Sequence, residues 1–589
     1  MSTATKQTSR WRALAALIRP DAARWAWVGA LVGLSSAMTL AGPLVVRQIV
    51  DDAKGGATAS HLVKLAGFFL AIAIGAQLLT VAFTWTATVT AWHTTNDIRL
   101  RLAAHVLGLD HEFHRHHTPG ELIQRVDGDV TSVSDFLGQV VPRALGAMAM
   151  VFGMIVVLAV VDWRLAAGAT IYVLLSACLI VRLRHRAVGE ASEEMGAYAK
   201  LYGGIEERLT AAEDLRANGA GAHAMWRFLG ESAGALNSAV RRQSAFLRLW
   251  WAVQGSVGVG ASVSLVSGAL LVNSNAISLG TAFLMFQYVL LLERPLEDLV
   301  HQLETVQKAN GAMVRVIDLL AIEPAIKDHG TISPAAGPLS VEFDKVSFRY
   351  AVSFQYDDDA DSENDEQVLR DITMTIAPGR SVGVVGRTGS GKTTLSRLVL
   401  RLIEVTNGQL RLGGVPIADI PMSELRRRVA MIPQEVELFS GSVRDNVTLF
   451  DPSPTDEQVV TALHLAGLDT LVDGGIHRQL GAGGAGLSAG EAQLLALARV
   501  WVRNPDLVVL DEATSRADPE TETRLEAAVA ELIQGRTTLI IAHRLSTLRH
   551  VDEIVVIDHG AIVEHGDRDA LVADHSSRFH HLLDLALES

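Results

Sequence analysis

Gly386-Arg387-Thr388-Gly389-Ser390-Gly391-Lys392-Thr393 follows the apolar run Ser381 to Val385 and opens a helix-patterned segment from Thr393 to Leu402. A strand that ends in glycines lets successive backbone N–H groups converge on a polyphosphate, and the helix N-terminus beyond it adds partial positive charge. At this spacing Lys392 reaches the outer phosphates, Thr393 offers a hydroxyl to Mg²⁺, and Thr394 follows in the first turn. The stretch predicts a phosphate cradle between a strand and a helix, and so an α/β domain around it.

Three strands further along carry matching chemistry. Val429-Ala-Met-Ile-Pro-Gln434 is apolar and ends in a glutamine able to meet Mg²⁺ or an attacking water. Asp506-Leu-Val-Val-Leu-Asp511-Glu512 is a buried-strand pattern that delivers two carboxylates at its carboxyl end. Asp511 suits the Mg²⁺ shell, and Glu512 can polarise a water for in-line attack on a γ-phosphate. Leu539-Ile-Ile-Ala-His543 repeats the device with an imidazole that can hydrogen-bond the γ-phosphate. Apolar strands alternating with helical stretches predict a parallel sheet. Upstream, Pro324, Gly330, Pro334, Gly337 and Pro338 mark a linker, and strand-like alternation begins at Leu339. Val346-Ser-Phe-Arg-Tyr350 is nearly repeated as Val352-Ser-Phe-Gln-Tyr356, and either tyrosine could offer a face for adenine. Tyr350, ending the first strand, is preferred. The acidic run Asp357 to Glu366 reads as a solvated loop.

At 589 residues the chain exceeds one core. A mean hydropathy of +0.26 with 49% hydrophobic residues is too apolar for an ordinary soluble enzyme. The net charge of −14 argues against nucleic acid as a partner. The single cysteine, Cys178, lies in an apolar run and forms no intrachain disulfide. The first apolar run starts only near Trp25, after a basic stretch, so no cleavable signal peptide is expected. Six apolar stretches, 25–46, 65–87, 144–161, 164–183, 252–272 and 278–292, are about long enough to cross a ~30 Å hydrocarbon layer, and the first holds a Gly42-Pro43 kink. Short joins alternate with two long ones that read as helical arms, flanked by Arg99, Arg101, Arg182 and Arg184. The positive-inside rule then places the N-terminus, both arms and the phosphate-binding domain in the cytoplasm of a multi-pass protein of the cytoplasmic membrane. The arm tips, around Phe113 to Val126 and Thr210 to Asn218, are candidate contacts with that domain. His111, His114, His116 and His117 read as part of a solvated polar loop in preference to a metal site. Glu293 could see a substrate pathway or snorkel at the membrane edge, and the tryptophans near span ends read as interface anchors.

Gly486-Leu-Ser488-Ala-Gly490-Glu491 separates the phosphate-loop families, since it is similar to the Leu-Ser-Gly-Gly-Gln signature of ATP-binding cassette proteins. With Tyr350, Gln434, Asp511-Glu512, Ser515-Arg-Ala-Asp518 and His543 in order, the whole chain resembles an exporter-type half-transporter of that family. The resemblance implies a six-span helical transmembrane domain (1–320), a linker (321–338) and an α/β nucleotide-binding domain (339–589). It implies ATP and Mg²⁺ as cofactors, with each ATP held between the phosphate loop of one cassette and the signature of a second, so that Ser488 and Gly490 serve the partner's nucleotide. Glu512 then acts as general base or water orienter, with Lys392 and His543 stabilising transferred-phosphate charge. Two departures stand out. Ala489 replaces a glycine and Glu491 a glutamine, and Ser488-x-x-Glu491 is also a capping-box pattern. A carboxylate there offsets the helix-end field that attracts phosphate, so a heterodimer with one weakened site is expected in preference to a homodimer. Transport outward of an amphipathic or lipid-like compound is the main reading; import of a siderophore-like ligand and a membrane-tethered regulatory ATPase are the rivals.

Overall fold

A computed structural model describes residues 21–350, 367–481, 487–511, 519–542 and 545–588. By its contacts the chain divides into two compact units, Met1–Gly108 with His117–Glu323, and Leu109–His116 with Pro324–Ser589. The break after Glu323 falls inside the expected linker.

The first unit is helical: α1 (Ala22–Lys54) and α2 (Ala59–Leu107) precede the arm tip, and α4 (Pro119–Val161), α5 (Trp163–Thr210), α6 (Ala212–Ala217), α7 (Gly221–Asn273), α8 (Leu279–Leu291) and α9 (Glu293–Leu320) follow it. α3 (His111–His116) belongs to the second unit. Helices α1, α2, α4 and α7, with the part of α5 up to Leu183, are long and apolar enough to cross a membrane. The sixth expected span emerges as the 13-residue α8, which is shorter than a bilayer crossing and is followed directly by α9 through Leu292. Six spans therefore require α8 to share its crossing with the start of α9. Pro43 sits inside a continuous α1. The long joins are helical, as expected: α2, α5 and α7 run for 49, 48 and 53 residues.

Two stretches of α4, Gln124–Asp129 and Phe136–Val140, widen to π-turns. They flank a core of Ala91, Val133, Leu137, Ala312 and Met313. The first π-turn delivers buried Asp129 to Arg315 of α9, whose Nε and Nη2 donate to the two carboxylate oxygens at 2.8 and 2.5 Å. A second core joins α4, α5, α7 and α8 around Leu249, Val253, Leu284 and Tyr288. Glu293 accepts a hydrogen bond from Gln254 of α7 at 3.1 Å, so its carboxylate is engaged within the bundle.

Among its described residues the second unit holds twelve strands: β1 (Val341–Arg349), β2 (Gln367–Ile376), β3 (Ser381–Val385), β4 (Asn407–Leu412), β5 (Val415–Pro416), β6 (Val429–Ile432), β7 (Gly441–Ser442), β8 (Gln479–Leu480), β9 (Leu507–Asp511), β10 (Thr537–Ile541), β11 (Glu553–Asp558) and β12 (Ala561–Asp567). They form a six-stranded sheet ordered β12-β11-β3-β10-β9-β6, an antiparallel sheet ordered β2-β1-β4-β5, and the β7-β8 pair. In the larger sheet every pairing is parallel except β11 with β12. Helices on one side and the antiparallel sheet on the other bury both faces, and every residue of β3, β9 and β10 is buried. The linker is fastened to this frame by Arg428, 7% exposed, which pairs with Asp506 and donates to the carbonyls of Pro334, Ala335 and Gly337. Arg428→Ala removes the cation and leaves those acceptors unmet, so a loss of about 3 kcal/mol is expected, read as a fall of about 6–12 °C in the cassette's thermal midpoint in the full chain. An unchanged midpoint contradicts the anchoring role.

Candidate nucleotide site

Parallel pairing fixes where the functional side chains meet. Val384 of β3 lies opposite Ile541 of β10, Ile541 opposite Asp511 of β9, and Leu510 opposite Ile432 of β6. The carboxyl ends of four strands thus share one edge. From it emerge the glycine-rich loop after Val385, Gln434 two residues past β6, and Asp511 at the tip of β9. Glu512 and His543 lie outside the described residues; in sequence they directly follow Asp511 and Ala542. Gly486 and the Ser515-Arg-Ala-Asp518 run, the second tyrosine Tyr356 and the acidic run 357–366 also lie outside them.

The loop is shaped by glycine. Gly389 and Gly391 have φ of 82° and 101°, where a β-carbon is strained, and Gly386 has φ of 158°. A β-carbon on Gly386 would lie 2.1 Å from the Ile557 carbonyl oxygen, and one on Gly391 2.6 Å from Leu369 Cδ2. Gly391 caps α10 (Lys392–Val399) without a side chain in the way. Arg387, Thr388 and Gly389 are exposed at the rim while Ser390 is buried. Lys392 is 4% exposed, and its ammonium donates to the carbonyls of Gly386 and Arg387 at 2.7 and 2.9 Å, bridging the loop's start. Ser390 Oγ is buried with no hydrogen-bond partner among the described residues. A curved backbone, an orphaned hydroxyl, a helix N-terminus and a poised ammonium suit a polyphosphate. Exposed Thr393 and Gln434 and the 7%-exposed Asp511 are all hard oxygen donors on or beside the same edge, the donor type that Mg²⁺ takes.

Tyr350 holds a position that sequence reasoning described only in part. Its hydroxyl accepts from Arg397 Nη1 at 3.0 Å and lies 3.3 Å from Thr394 Oγ1, tying the ring to α10. Phe348 meets it edge-on at 4.8 Å, and the guanidinium of Arg115 lies over the ring at 4.8 Å from the centroid. Arg115 comes from α3, the tip of the first arm. There Phe113 is buried to 3%, and the backbone N–H of Ala325 donates to Asp110 at 2.5 Å. Burial, with Arg397 beside it, holds the His111 imidazole below its ordinary value, and Glu112 opposes this. His116 pairs with Glu112 at 2.9 Å. The tip is thus a short helix of the second unit held by buried Phe113, which corrects the reading of a loop, while Arg115 and His116 remain exposed as that reading expected. No spacing rule links Arg115 to Tyr350, so only the arm's candidate status was readable.

The expected capping box is present. Ser488 Oγ accepts from the Glu491 N–H at 3.2 Å, and Glu491 Oε2 accepts from the Ser488 N–H at 2.8 Å, opening α11 (Ala489–Arg503). Ser488 and Ala489 are exposed and Gly490 is buried.

A glycine-rich phosphate loop on the carboxyl edge of a parallel sheet, joined to a set of long apolar helices, defines a multi-pass membrane ATPase. The family model for the ABC transporter transmembrane region matches residues 27–296, and that for the ABC transporter matches 369–515. A putative multidrug export ATP-binding/permease protein of Staphylococcus aureus is 30% identical over 82% of this chain and 82% of its own length. A protein of the same description from Bacillus subtilis is 28% identical over 94% and 96%, and an ATP-dependent lipid A-core flippase of Syntrophus aciditrophicus is 28% identical over 96% and 92%. A bacterial Atm1-family ABC exporter with ATP bound has the same fold, with a TM-score of 0.79 over 97% of this chain and 99% of that one at 22% identity. The chain belongs to the ABC transporter family, with membrane region and ATPase fused, and couples ATP hydrolysis to transport.

Gly391→Ala places a methyl in a left-handed position against Leu369 and Val368. Strain of about 1–3 kcal/mol predicts a loss of MgATP affinity of roughly tenfold or more, measured by equilibrium binding to the full chain. Unaltered affinity contradicts the loop's assigned shape.

Proposed function

We propose that this chain is an ATP-driven exporter subunit that moves an amphipathic or lipid-like compound out across the cytoplasmic membrane, with its N-terminus and cassette in the cytoplasm. The observation that carries the reading is the shared carboxyl edge of β3, β10, β9 and β6, fused to the apolar helices. Lys392 and the loop from Gly386 to Thr394 hold the phosphates. Thr393, Gln434 and Asp511 hold Mg²⁺, which when bound neutralises phosphate charge. Glu512 takes or orients the proton of the attacking water, and His543 with Lys392 stabilises the charge that develops on the transferred group. Tyr350 stacks the base. The multidrug and flippase relatives favour export over import, and the long apolar helices with their arms favour transport over a regulatory ATPase.

The dimeric partner is a second half-transporter. We infer a heterodimer from the Glu491 carboxylate, which is held on the first turn of α11 where the partner's nucleotide would need positive field. ATPase activity of the purified chain in lipid, alone and with the product of any neighbouring gene for a similar chain, tests this. Activity only with the partner, cut at least a hundredfold by Glu512→Gln, is expected. Full glutamate-dependent turnover by the chain alone means a homodimer.

Adenine can stack on the face of Tyr350 that Arg115 covers only if the guanidinium moves aside. Removing a cation–π contact of ~0.5–1 kcal/mol makes Arg115→Ala bind MgATP about threefold more tightly. Affinity for magnesium tripolyphosphate, which has no base, stays unchanged. Equal effects on both ligands, or none on either, contradict the competition.

A further inference from the structure

A cavity of about 520 Å³ lies within the membrane unit, walled by the end of α4, the first turns of α5, the last turns of α7 and the second half of α8. Met154, Tyr172, Met285 and Tyr288 give it an apolar wall. The tyrosine hydroxyls are already used, Tyr172 donating to the Ser256 carbonyl at 3.3 Å and Tyr288 to that of Leu40 at 3.0 Å. Both rings remain available to line the space. The volume is that of a drug-sized ligand or part of a lipid.

Two polar groups on this wall lack partners among the described residues. Ser264 is 5% exposed, and its Oγ has no hydrogen-bond partner among the described residues. Its neighbours Ser262 and Ser267 bond back to their own helix, to the carbonyls of Gly258 and Val263 at 2.8 and 2.6 Å, whereas Ser264 does not. A buried hydroxyl left unmet is costly, so an occupant with an oxygen of its own is favoured. Arg164 stands at the cavity's end in the first turn of α5. Its backbone N–H donates to Asp162 at 2.8 Å, which caps the helix, but its exposed guanidinium has no ion pair among the described residues. From Arg164 to Leu175, both lining the cavity, the helix rises ~16 Å, about half of a ~30 Å hydrocarbon layer.

We propose that this cavity is a resident site for the acyl chain of an anionic phospholipid. The chain lies beside Tyr172 and Tyr288 through the depth of one leaflet, an ester oxygen supplies the partner that Ser264 lacks, and the phosphate pairs with Arg164. Charge and depth both select this occupant: a soluble anion has no apolar tail to fill the cavity, and an uncharged hydrocarbon leaves Arg164 and Ser264 unanswered. The inference needs only the membrane-spanning reading of these helices and is independent of what is transported.

Gly168 lines the cavity, and a β-carbon there meets nothing within 4 Å, so Gly168→Phe fills the space without a clash at its first atom. The test is lipid retention by the full chain after exchange into nanodiscs of equal phosphatidylglycerol and phosphatidylcholine with matched chains, extraction into detergent, and native mass spectrometry. The wild type is expected to keep phosphatidylglycerol over phosphatidylcholine by at least about fivefold. Arg164→Gln, a surface change with no packing consequence, loses that preference while still retaining lipid. Gly168→Phe loses retained lipid of both kinds, with ATPase activity unchanged. Equal retention of the two lipids by the wild type, or a preference that Arg164→Gln leaves intact, overturns the headgroup site. Full retention by a folded Gly168→Phe overturns the cavity as the place of the chain. If Gly168→Phe does not fold, the Arg164→Gln comparison decides.

Discussion

Parallel strand pairing is the constraint on which the cassette depends. Because β6, β9, β10 and β3 run in one direction, their carboxyl ends share an edge, and residues as far apart in sequence as Val384 and Ile541 become neighbours there. The phosphate loop, Gln434 and Asp511 need no further device to bring them together. The requirement passes to the strands, which must be buried on both faces and so read as unbroken apolar runs. That is why a single substitution in the loop, where glycine is sterically compelled, is felt as chemistry, while the strands are felt as stability.

The membrane unit obeys a different rule. Its helices continue well past the apolar stretches, so a span and its arm form one continuous helix. Polar joints appear where the helices must be held: Asp129 with Arg315, and Gln254 with Glu293. At the first arm's tip Arg115 lies over the ring of Tyr350, the tyrosine proposed to stack the base. On that proposal nucleotide and the Arg115 guanidinium compete for one aromatic face, a way for a ligand to shift a conformational population.

Much of this was legible in the sequence because the chemistry is local. The glycine and lysine spacing of 386–393, the carboxylate closing an apolar run at Asp511, and Ser488-x-x-Glu491 each state their geometry within a few residues. The break in composition near Pro324 coincides with one edge of the two-unit division, but nothing in the sequence announced that Leu109–His116 packs with the second unit. What escaped depends on distant partners. Nothing near Arg115 points to Tyr350, the π-turns of α4 reflect packing against α2 and α9, and the unmet hydroxyl of Ser264 is visible only once three other helices enclose it. The short α8 was the other surprise, since apolar composition through Leu292 does not reveal where a helix breaks.

The central claim is that nucleotide held at the carboxyl edge drives movement across the membrane. Its most direct test is flux of a fluorescent amphipathic probe in sealed proteoliposomes with the cassettes facing the added ATP, using the chain together with any partner it requires. ATP-dependent uptake into the vesicle lumen, abolished by Lys392→Ala, is the predicted result. ATP hydrolysis without any probe movement across a range of amphipathic probes, or flux that Lys392→Ala leaves untouched, contradicts it.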